Sequence, residues 1–196
     1  MICFRYTVLR PGESQHEAGI RLRDGMLLDF CGIASPSVTV DEGGKPRLTD
    51  HPDIHFSLSH SGSVAVCALS FPGKAERENV CVISDAPDAP AVGADVERIE
   101  DSADVPRLRR LAERFFPVEE SERLRDIPDS LYPAAFAGTW TALESFVKRT
   151  GEGFRHGFSR TEYPCSRQRK ADGRCGGSFV WICERLFQTL FSGNRL

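Results

Sequence analysis

The chain has 196 residues, enough for one domain of generous size or two small ones packed together. Hydrophobic residues make up 40% of it and charged residues 27%, a composition that excludes an intrinsically disordered protein. The net charge of -3 argues against nucleic-acid binding through bulk positive charge, so an anionic partner must meet a local patch.

Neither export nor membrane insertion is predicted from the sequence. The first ten residues contain Arg5 and Arg10 and no apolar signal-peptide core. The longest apolar run, Val64–Leu69, is far shorter than the roughly 18 residues of a spanning helix. The seven cysteines are an odd set without a Cys-x-x-Cys pair, which indicates reduced thiols in a cytoplasmic protein rather than disulfides or zinc ligands.

The first half of the chain reads as a helix followed by two strands. Apolar residues at helical spacing predict a helix over His16–Ile33, ending before the turn-prone Ser35–Ser37. After a turn at Gly43–Pro46, the segment Ile54–Phe71 reads as two strands separated by a polar break at His60–Ser63. We therefore expect a β-hairpin after the first helix.

A loop and a short strand follow, and then helices. Residues Lys74–Pro90 are polar and contain prolines, which predicts a loop, whereas Ala91–Glu97 reads as a short strand. Two helical pieces, Arg107–Phe116 and Glu119–Asp126, are separated at Pro117. These elements lead into the strongest helical pattern of the chain.

That pattern covers Ala134–Thr150, after Pro133, and stops at Gly151. Its apolar ridge comprises Phe136, Trp140, Leu143 and Val147. Beyond residue 157, only Phe179–Ile182 and Leu186–Phe191 read as structured.

Two carboxylates on the short strand are candidate metal ligands. Asp95 and Glu97 are two residues apart, so both side chains project from the same face of a strand, and Val92, Ala94 and Val96 are left for the core. A solvated edge strand is the commoner explanation of an isolated Asp-x-Glu. A bound Mg²⁺ is the alternative, since it takes few carboxylates and fills its other positions with water and phosphate oxygens.

Three further residues suit phosphate chemistry. Glu144 and Lys148 are one helical turn apart and share a face, although such spacing is also that of an ordinary surface ion pair. His60 lies beside Ser59 and Ser61 at the end of a predicted strand, where an imidazole and backbone N–H groups can meet a phosphate. A solvent-exposed turn histidine is the competing interpretation.

The ordered motifs resemble those of the 4′-phosphopantetheinyl transferases of the surfactin-synthetase-activating (Sfp) type. They are, in chain order, Gly44-Lys45-Pro46, Ser59-His60-Ser61-Gly62, Val92-Gly93-Ala94-Asp95-Val96-Glu97, Phe115-Phe116 with Glu119-Glu120, and Trp140 to Lys148 followed by Gly151 and Gly153. Each motif alone is weak, but their order and spacing together are specific.

The resemblance implies an α+β fold and a reaction. The fold has two similar α/β halves, residues 1–98 and 99–196, related by a pseudo-twofold axis; residues 159–196 are left unassigned. Coenzyme A is expected in the cleft between the halves. In the implied reaction, a serine hydroxyl of an apo acyl or peptidyl carrier protein attacks the β-phosphate of coenzyme A, takes up phosphopantetheine and releases adenosine 3′,5′-bisphosphate.

The resemblance also assigns roles to particular residues. Asp95, Glu97 and Glu144 match the magnesium ligands, with Glu144 also a candidate general base. Lys148 matches a lysine that contacts the phosphates and is counted with Glu144 as catalytic. The residues expected to bind coenzyme A are His60, Ser59, Lys45 at the nucleotide end, and an arginine of the first helix, either Arg21 or Arg23. Leu143 stands where the family commonly has a lysine, and we expect it to be a core residue.

Three functions remain open at this stage. The first is a monomeric, magnesium-dependent transferase that binds no nucleic acid or membrane. The second is a non-catalytic relative that binds coenzyme A or a carrier protein. The third is a metal-dependent phosphodiesterase that uses the same acids. Because carrier proteins are acidic, a set of arginines is a candidate docking patch, comprising Arg107, Arg109, Arg110, Arg114, Arg123 and Arg125.

Overall fold

A computed structural model describes residues 1–73, 89–99 and 103–151 in full, and the backbone of 81–84, 174–175 and 179–183. The described strands are β1 (Ile2–Val8), β2 (Val38–Val40), β3 (Pro46–Leu48), β4 (His55–Ser61), β5 (Val64–Ser70), β6 (Cys81–Ser84), β7 (Gly93–Glu97), β8 (Arg174–Cys175) and β9 (Phe179–Cys183). The described helices are α1 (Gln15–Cys31), α2 (Val105–Phe115), α3 (Val118–Arg125) and α4 (Tyr132–Thr150).

Helix α1 forms where the sequence predicted it, because both of its ends are capped. The Ser14 hydroxyl accepts from Glu17 N, and the Glu17 carboxylate accepts from Ser14 N, a reciprocal capping box. The helix ends at Gly32, whose left-handed φ of 72° suits glycine, and the Gly32 N–H donates to carbonyls of the last turn. The observed helix stops two residues before the predicted end.

The four-stranded sheet has the order β4-β5-β1-β6, and its recorded pairs are antiparallel. Strands β4 and β5 form the predicted hairpin, in register from His55 opposite Ser70 to Ser61 opposite Val64, with Gly62 at a φ of 58° in the turn. Strand β1 was not predicted. Strand β6 contradicts the prediction of a continuous loop over Lys74–Pro90: its backbone pairs with the edge of β1, a tertiary partner that local composition cannot reveal.

Helix α1 covers one face of this sheet. Its Met26 and Leu27 are buried against Phe56 of β4 and Leu69 of β5. Burying each such side chain contributes roughly 1.5–3 kcal/mol. The opposite face packs against β7, so the sheet is enclosed between a helix and a strand.

Strand β7 belongs to a second sheet of order β7-β9-β8, in which β7 and β9 are parallel. Ala94 and Val96 of β7 are buried against Ile2, Val66 and Ala68 of the first sheet. The alternate residues of β7 therefore face the other way. Strand β9 coincides with the predicted structured segment Phe179–Ile182, whereas the predicted segment Leu186–Phe191 lies outside the described residues.

Helix α4 packs on that other face of β7, and α2 and α3 pack on α4. The break between α2 and α3 falls at Pro117 as predicted, and α4 ends at Gly151 with a left-handed φ of 78°. Phe116, Phe136 and Leu143 form the centre of the helical core. The mixed α/β class is thus confirmed, while the two symmetric halves stay a prediction. None of the described helices has both the length and the apolar character needed to cross a bilayer.

Gly93 lets α4 approach β7 at backbone distance. A Cβ at this position would lie 1.9 Å from Ser145 O and 2.6 Å from Arg149 N, both of them main-chain atoms of α4. Glycine is therefore required sterically at position 93.

We expect Gly93→Ala to lower the free energy of unfolding by about 1–3 kcal/mol or more, because α4 must move away from β7. Gly25 is the matched control: it lies in α1, and a methyl group added there would meet no atom within 4 Å, so Gly25→Ala should stabilise by about 0.5–1 kcal/mol. Denaturant unfolding measures both. Equal effects would mean that the contact between α4 and Gly93 is not tight.

Candidate active site

The site begins on β7, which projects Asp95 and Glu97 from the face opposite Ala94 and Val96. Asp95 is only 2% exposed, whereas Glu97 is half-buried. A carboxylate removed from water in this way needs compensating partners. Two neighbouring elements, α4 and β4, supply them.

Helix α4 contributes Glu144 and Lys148, one turn apart as predicted. Lys148 Nζ forms an ion pair with Asp95 Oδ1, lies 3.0 Å from Ser59 Oγ, and is 3.6 Å from Glu144 Oε2. Lys148 thus reaches from α4 to both β7 and β4. The ion pair between Glu144 and Lys148 is therefore not an isolated surface pair. It belongs to a partly buried cluster of carboxylates around the Lys148 ammonium.

Strand β4 contributes three alternating serines, which hold β7 through their side chains. Ser57 Oγ, Ser59 Oγ and Ser61 Oγ accept from Ala94 N (2.9 Å), Val96 N (3.3 Å) and Arg98 N (3.0 Å) in turn. The constant offset means that β4 and β7 run side by side in the same direction. We call this set the serine ladder.

Two members of the serine ladder also contact the acids. The Ser59 hydroxyl donates to Asp95 Oδ1 at 2.7 Å, and the Ser61 hydroxyl donates to Glu97 Oε1 at 3.4 Å. Ser59 therefore bonds to the β7 backbone, to Asp95 and to Lys148 at once. These contacts fix the orientation of the Asp95 carboxylate.

Burial and the charge of Asp95 raise the pKa values of the two neighbouring carboxyl groups, Glu144 and Glu97. Burial, and next the charge of Asp95, raise the pKa of Glu144 to about 7. Burial and then Asp95 also raise the pKa of Glu97. Lys148 opposes both shifts without cancelling them. When all three carboxyl groups are ionised, their negative charge exceeds what Lys148, the lysine in contact with them among the described residues, neutralises.

The donor chemistry of this cluster fits a hard divalent cation. Asp95 Oδ2 is buried and receives no hydrogen bond from the described residues. Carboxylate oxygens are the ligands that Mg²⁺ prefers. Within the described ranges, however, no group of three or more His, Cys, Asp or Glu side chains is already arranged to hold a metal ion.

A cleft of about 310 Å³ opens beside Lys148. One wall is the β2–β3 turn at Gly43–Pro46, a second is β4 at Phe56–Leu58, and a third is the end of α4 at Val147, Lys148 and Gly151. The cleft is therefore lined by segments that are far apart in the sequence. A ligand in it would contact the Lys148 end of the carboxylate cluster.

His60, the predicted phosphate contact, is exposed near the end of β4. Strand alternation puts it on the same face as Phe56 and Leu58, opposite the face that carries Ser59 and Ser61. Its contact with coenzyme A stays a prediction. It is not part of the carboxylate cluster.

Lys45 lines the cleft, but its ammonium points into the protein. The residue is 7% exposed, and its Nζ donates to Arg149 O at 2.7 Å and to Val92 O at 3.3 Å. The predicted contact between Lys45 and the nucleotide stays untested. Its ammonium is already bound to the end of α4 and to the residue before β7.

The two candidate arginines of α1 have different surroundings. Arg21 forms an ion pair with Glu13 at 2.7 Å and lies near Thr7. Arg23 pairs with Asp24, and its guanidinium lies 5.4 Å from the centre of the Phe56 ring. Because Phe56 lines the cleft, Arg23 is linked to the cleft wall through this ring.

Sequence reasoning missed the ladder role of Ser57 and Ser61. A signal was present, since serines at every second position of a strand put three hydroxyls on one face. Nothing in the sequence identified β7 as the partner of that face.

The carboxylate cluster and Lys148 thus lie where two sheets and a helix of a mixed α/β protein meet. Comparison with known proteins names the family: residues 91–187, about half of the chain, match the sequence model of the 4′-phosphopantetheinyl transferase superfamily. Residues 91–187 therefore belong to this superfamily.

One curated relative supports that assignment. It is named "4'-phosphopantetheinyl transferase", comes from Bacillus subtilis, and is 34% identical to this chain over 126 residues. The match covers 64% of this chain and 45% of the relative, so this chain spans less than half of the relative's length.

Leu143 is a core residue, as predicted. Its side chain is 0% exposed and belongs to the cluster that contains Phe116 and Phe136. It faces away from the carboxylates that its neighbour Glu144 approaches. The position that commonly carries a lysine in the family thus supports the helical core here.

We expect Leu143→Lys to destabilise by about 3–5 kcal/mol, through lost packing and an unpaired buried charge. Leu28→Lys is the control, because Leu28 is 52% exposed on α1 and should tolerate the change within about 0.5 kcal/mol. Thermal melts compare the two. A stable Leu143→Lys variant that binds coenzyme A more tightly would contradict this placement.

The buried Lys45 makes the free energy of unfolding depend on pH. Burial, and next the cation of Arg47, lower its pKa from 10.5 to about 8; Asp41 opposes the shift and Arg149 adds to it. Between those values the unfolded chain binds more protons than the folded one, so this group makes the free energy of unfolding rise with pH. Wild type should gain stability over Lys45→Met from pH 8 to 10.5. A pH-independent difference in chemical denaturation would contradict this.

Proposed function

We propose that this protein transfers 4′-phosphopantetheine from coenzyme A to a serine of an apo acyl or peptidyl carrier protein, in the manner of the surfactin-synthetase-activating type. The observation that carries the proposal is the convergence of Asp95, Glu97 and Glu144 around Lys148 beside an open cleft. A binding module has no need of such a costly charge cluster.

In this proposal the three acids hold Mg²⁺. Asp95, Glu97 and Glu144 would supply an oxygen-only donor set, which includes the Oδ2 of buried Asp95 that accepts no hydrogen bond from the described residues. Three carboxylates and one ammonium leave excess negative charge, which a divalent cation neutralises. When bound, this cation would stabilise negative charge on the pyrophosphate of coenzyme A.

Cations of the chain itself would hold the substrate's phosphates. Lys148 borders both the carboxylate cluster and the cleft, so its ammonium can contact a phosphate in the cleft while α4 stays in place. His60 and Arg23 are the further candidates, from the end of β4 and from α1. These cations are needed because the negative charges of the pyrophosphate and of the nearby carboxylates would otherwise repel each other.

Glu144 is the proposed proton acceptor. As the carrier serine Oγ bonds to the β-phosphorus, the bond from that phosphorus to the bridging oxygen breaks and the serine proton must leave. Burial and the charge of Asp95 raise the pKa of Glu144 above that of an ordinary carboxyl group, which favours proton uptake by this side chain. Glu144 can hold this role and a ligand role, since a carboxylate has two oxygens.

The carrier protein would dock on α2. Arg107 and Arg110 are exposed there, as is Arg114, whereas Arg109 is engaged by Asp129 and by main-chain carbonyls. The exposed cations complement an acidic carrier. Arg123 forms an ion pair with buried Glu120 within α3, so we do not include it in this docking patch.

The second candidate is a non-catalytic protein that binds coenzyme A or a carrier. The observation in its favour is the buried Leu143, which puts an apolar core residue at the position directly before Glu144 where the family commonly has a lysine. Mass spectrometry separates the two candidates. An apo carrier incubated with this protein, coenzyme A and Mg²⁺ should gain the mass of phosphopantetheine, and EDTA should abolish the gain. Binding without a mass change would favour the second candidate.

Glu144→Gln tests the acid at the centre of the site. It keeps the size of the side chain but removes the charge and the ability to take a proton, so turnover should fall by about 10²–10⁴. If ligation dominates, added Mg²⁺ should restore much of the rate; if proton transfer dominates, it should not. Unchanged turnover at ordinary Mg²⁺ would remove Glu144 from the site.

Charge reversal tests the docking surface. The double variant Arg110→Glu and Arg114→Glu should slow carrier modification about tenfold at low salt, mainly through association, and the deficit should shrink as salt screens the charges. The affinity for coenzyme A alone, measured by calorimetry, should be unchanged. Equal rates at every salt concentration would place the carrier elsewhere.

A further inference from the structure

The tip of the β2–β3 hairpin, residues 41–45, is a closed turn. Asp41 N donates to Lys45 O at 3.0 Å, and Lys45 N donates to the Asp41 carboxylate at 2.8 Å. Arg47 pairs with the other oxygen of Asp41 at 2.7 Å. These bonds hold the backbone of Lys45 in place, so its side chain starts from a fixed point.

That side chain reaches the two elements which carry the site. Lys45 Nζ donates to Arg149 O, in the last turn of α4, and to Val92 O, directly before β7. The last carbonyls of a helix have no partner within the helix, and a cation there also complements the helix dipole. One buried ammonium thus joins the hairpin tip, the end of α4 and the start of β7.

The backbone of the tip also lies directly against the end of α4. A Cβ on Gly43 would lie 2.1 Å from Gly151 O, so only glycine allows this approach. Gly151 is the residue that caps α4, three positions after Lys148. The tip therefore fixes the helical turn from which Lys148 extends to Asp95.

We propose that Lys45 is a positioning residue: by binding the end of α4 to the start of β7, it sets Lys148 against Asp95, and it does not contact the phosphates of coenzyme A. The catalytic part of this inference rests on the proposed function. To reach a ligand, Lys45 would have to give up its bonds to two main-chain carbonyls, and leaving a buried acceptor unsatisfied is costly. Among the described contacts, the Lys148 ammonium donates no hydrogen bond to a main-chain carbonyl.

Hydrogen exchange tests the structural part without any substrate. We expect Lys45→Met, in the otherwise intact chain, to speed amide exchange in the last turn of α4 by about tenfold or more. Gly43→Ala should do the same, since it displaces the tip and changes no charge. Glu42→Gln is the matched control: it removes an exposed charge at the same tip and none of the contacts described for Asp41, Gly43 or Lys45. Wild-type exchange in Lys45→Met would overturn the inference.

Kinetics with coenzyme A and an apo carrier test the positioning role. Lys45→Met and Gly43→Ala should each lower kcat about tenfold and change the KM for coenzyme A less than about twofold. Lys45→Arg should fail to rescue, because the larger guanidinium does not fit the buried position, although it would preserve a phosphate contact.

A tenfold rise in KM for Lys45→Met, restored by Lys45→Arg, would overturn the proposal and make Lys45 a phosphate ligand. If the wild-type chain transfers nothing, the proposed function fails. The exchange measurement still decides whether Lys45 holds α4 to β7.

Discussion

The burial of Asp95 is the constraint on which the rest of the structure depends. A carboxylate that is 2% exposed must recover its lost hydration from fixed partners, and it does so from the Ser59 hydroxyl and the Lys148 ammonium. These partners come from β4 and α4, so three elements must meet at one point. Gly93, the serine ladder and Lys45 all serve to bring those elements within that distance.

The same contacts leave the site with unbalanced charge. Asp95 has its Oδ1 fully engaged, but its Oδ2 accepts no bond from the described residues, and two other carboxylates lie near enough for burial and the charge of Asp95 to raise their pKa values. Such an arrangement is expensive for stability alone. The proposed binding of a divalent cation would compensate this excess of negative charge.

Leu143 shows how one helix serves both the core and the site. Positions 143 and 144 are adjacent in sequence but point in different directions, because successive residues of a helix are about 100° apart. Leu143 is buried with Phe136, whereas Glu144 approaches Asp95. A lysine at 143 would therefore have to leave the helical core to assist the site. In this chain, Lys148 is the α4 cation in contact with Asp95.

The sequence alone determined what local rules control. Periodicity predicted α1, α4 and the β4–β5 hairpin, and strand alternation put Asp95 and Glu97 on one face. The order of the motifs indicated the family. The sequence alone did not predict β1 or β6, whose strand state depends on partners far along the chain. Only the tertiary structure decided that the serines of β4 bond to β7 and that the Lys45 ammonium points inward. Those outcomes depend on which surfaces meet, and spacing within one segment carries no information about the surface opposite it.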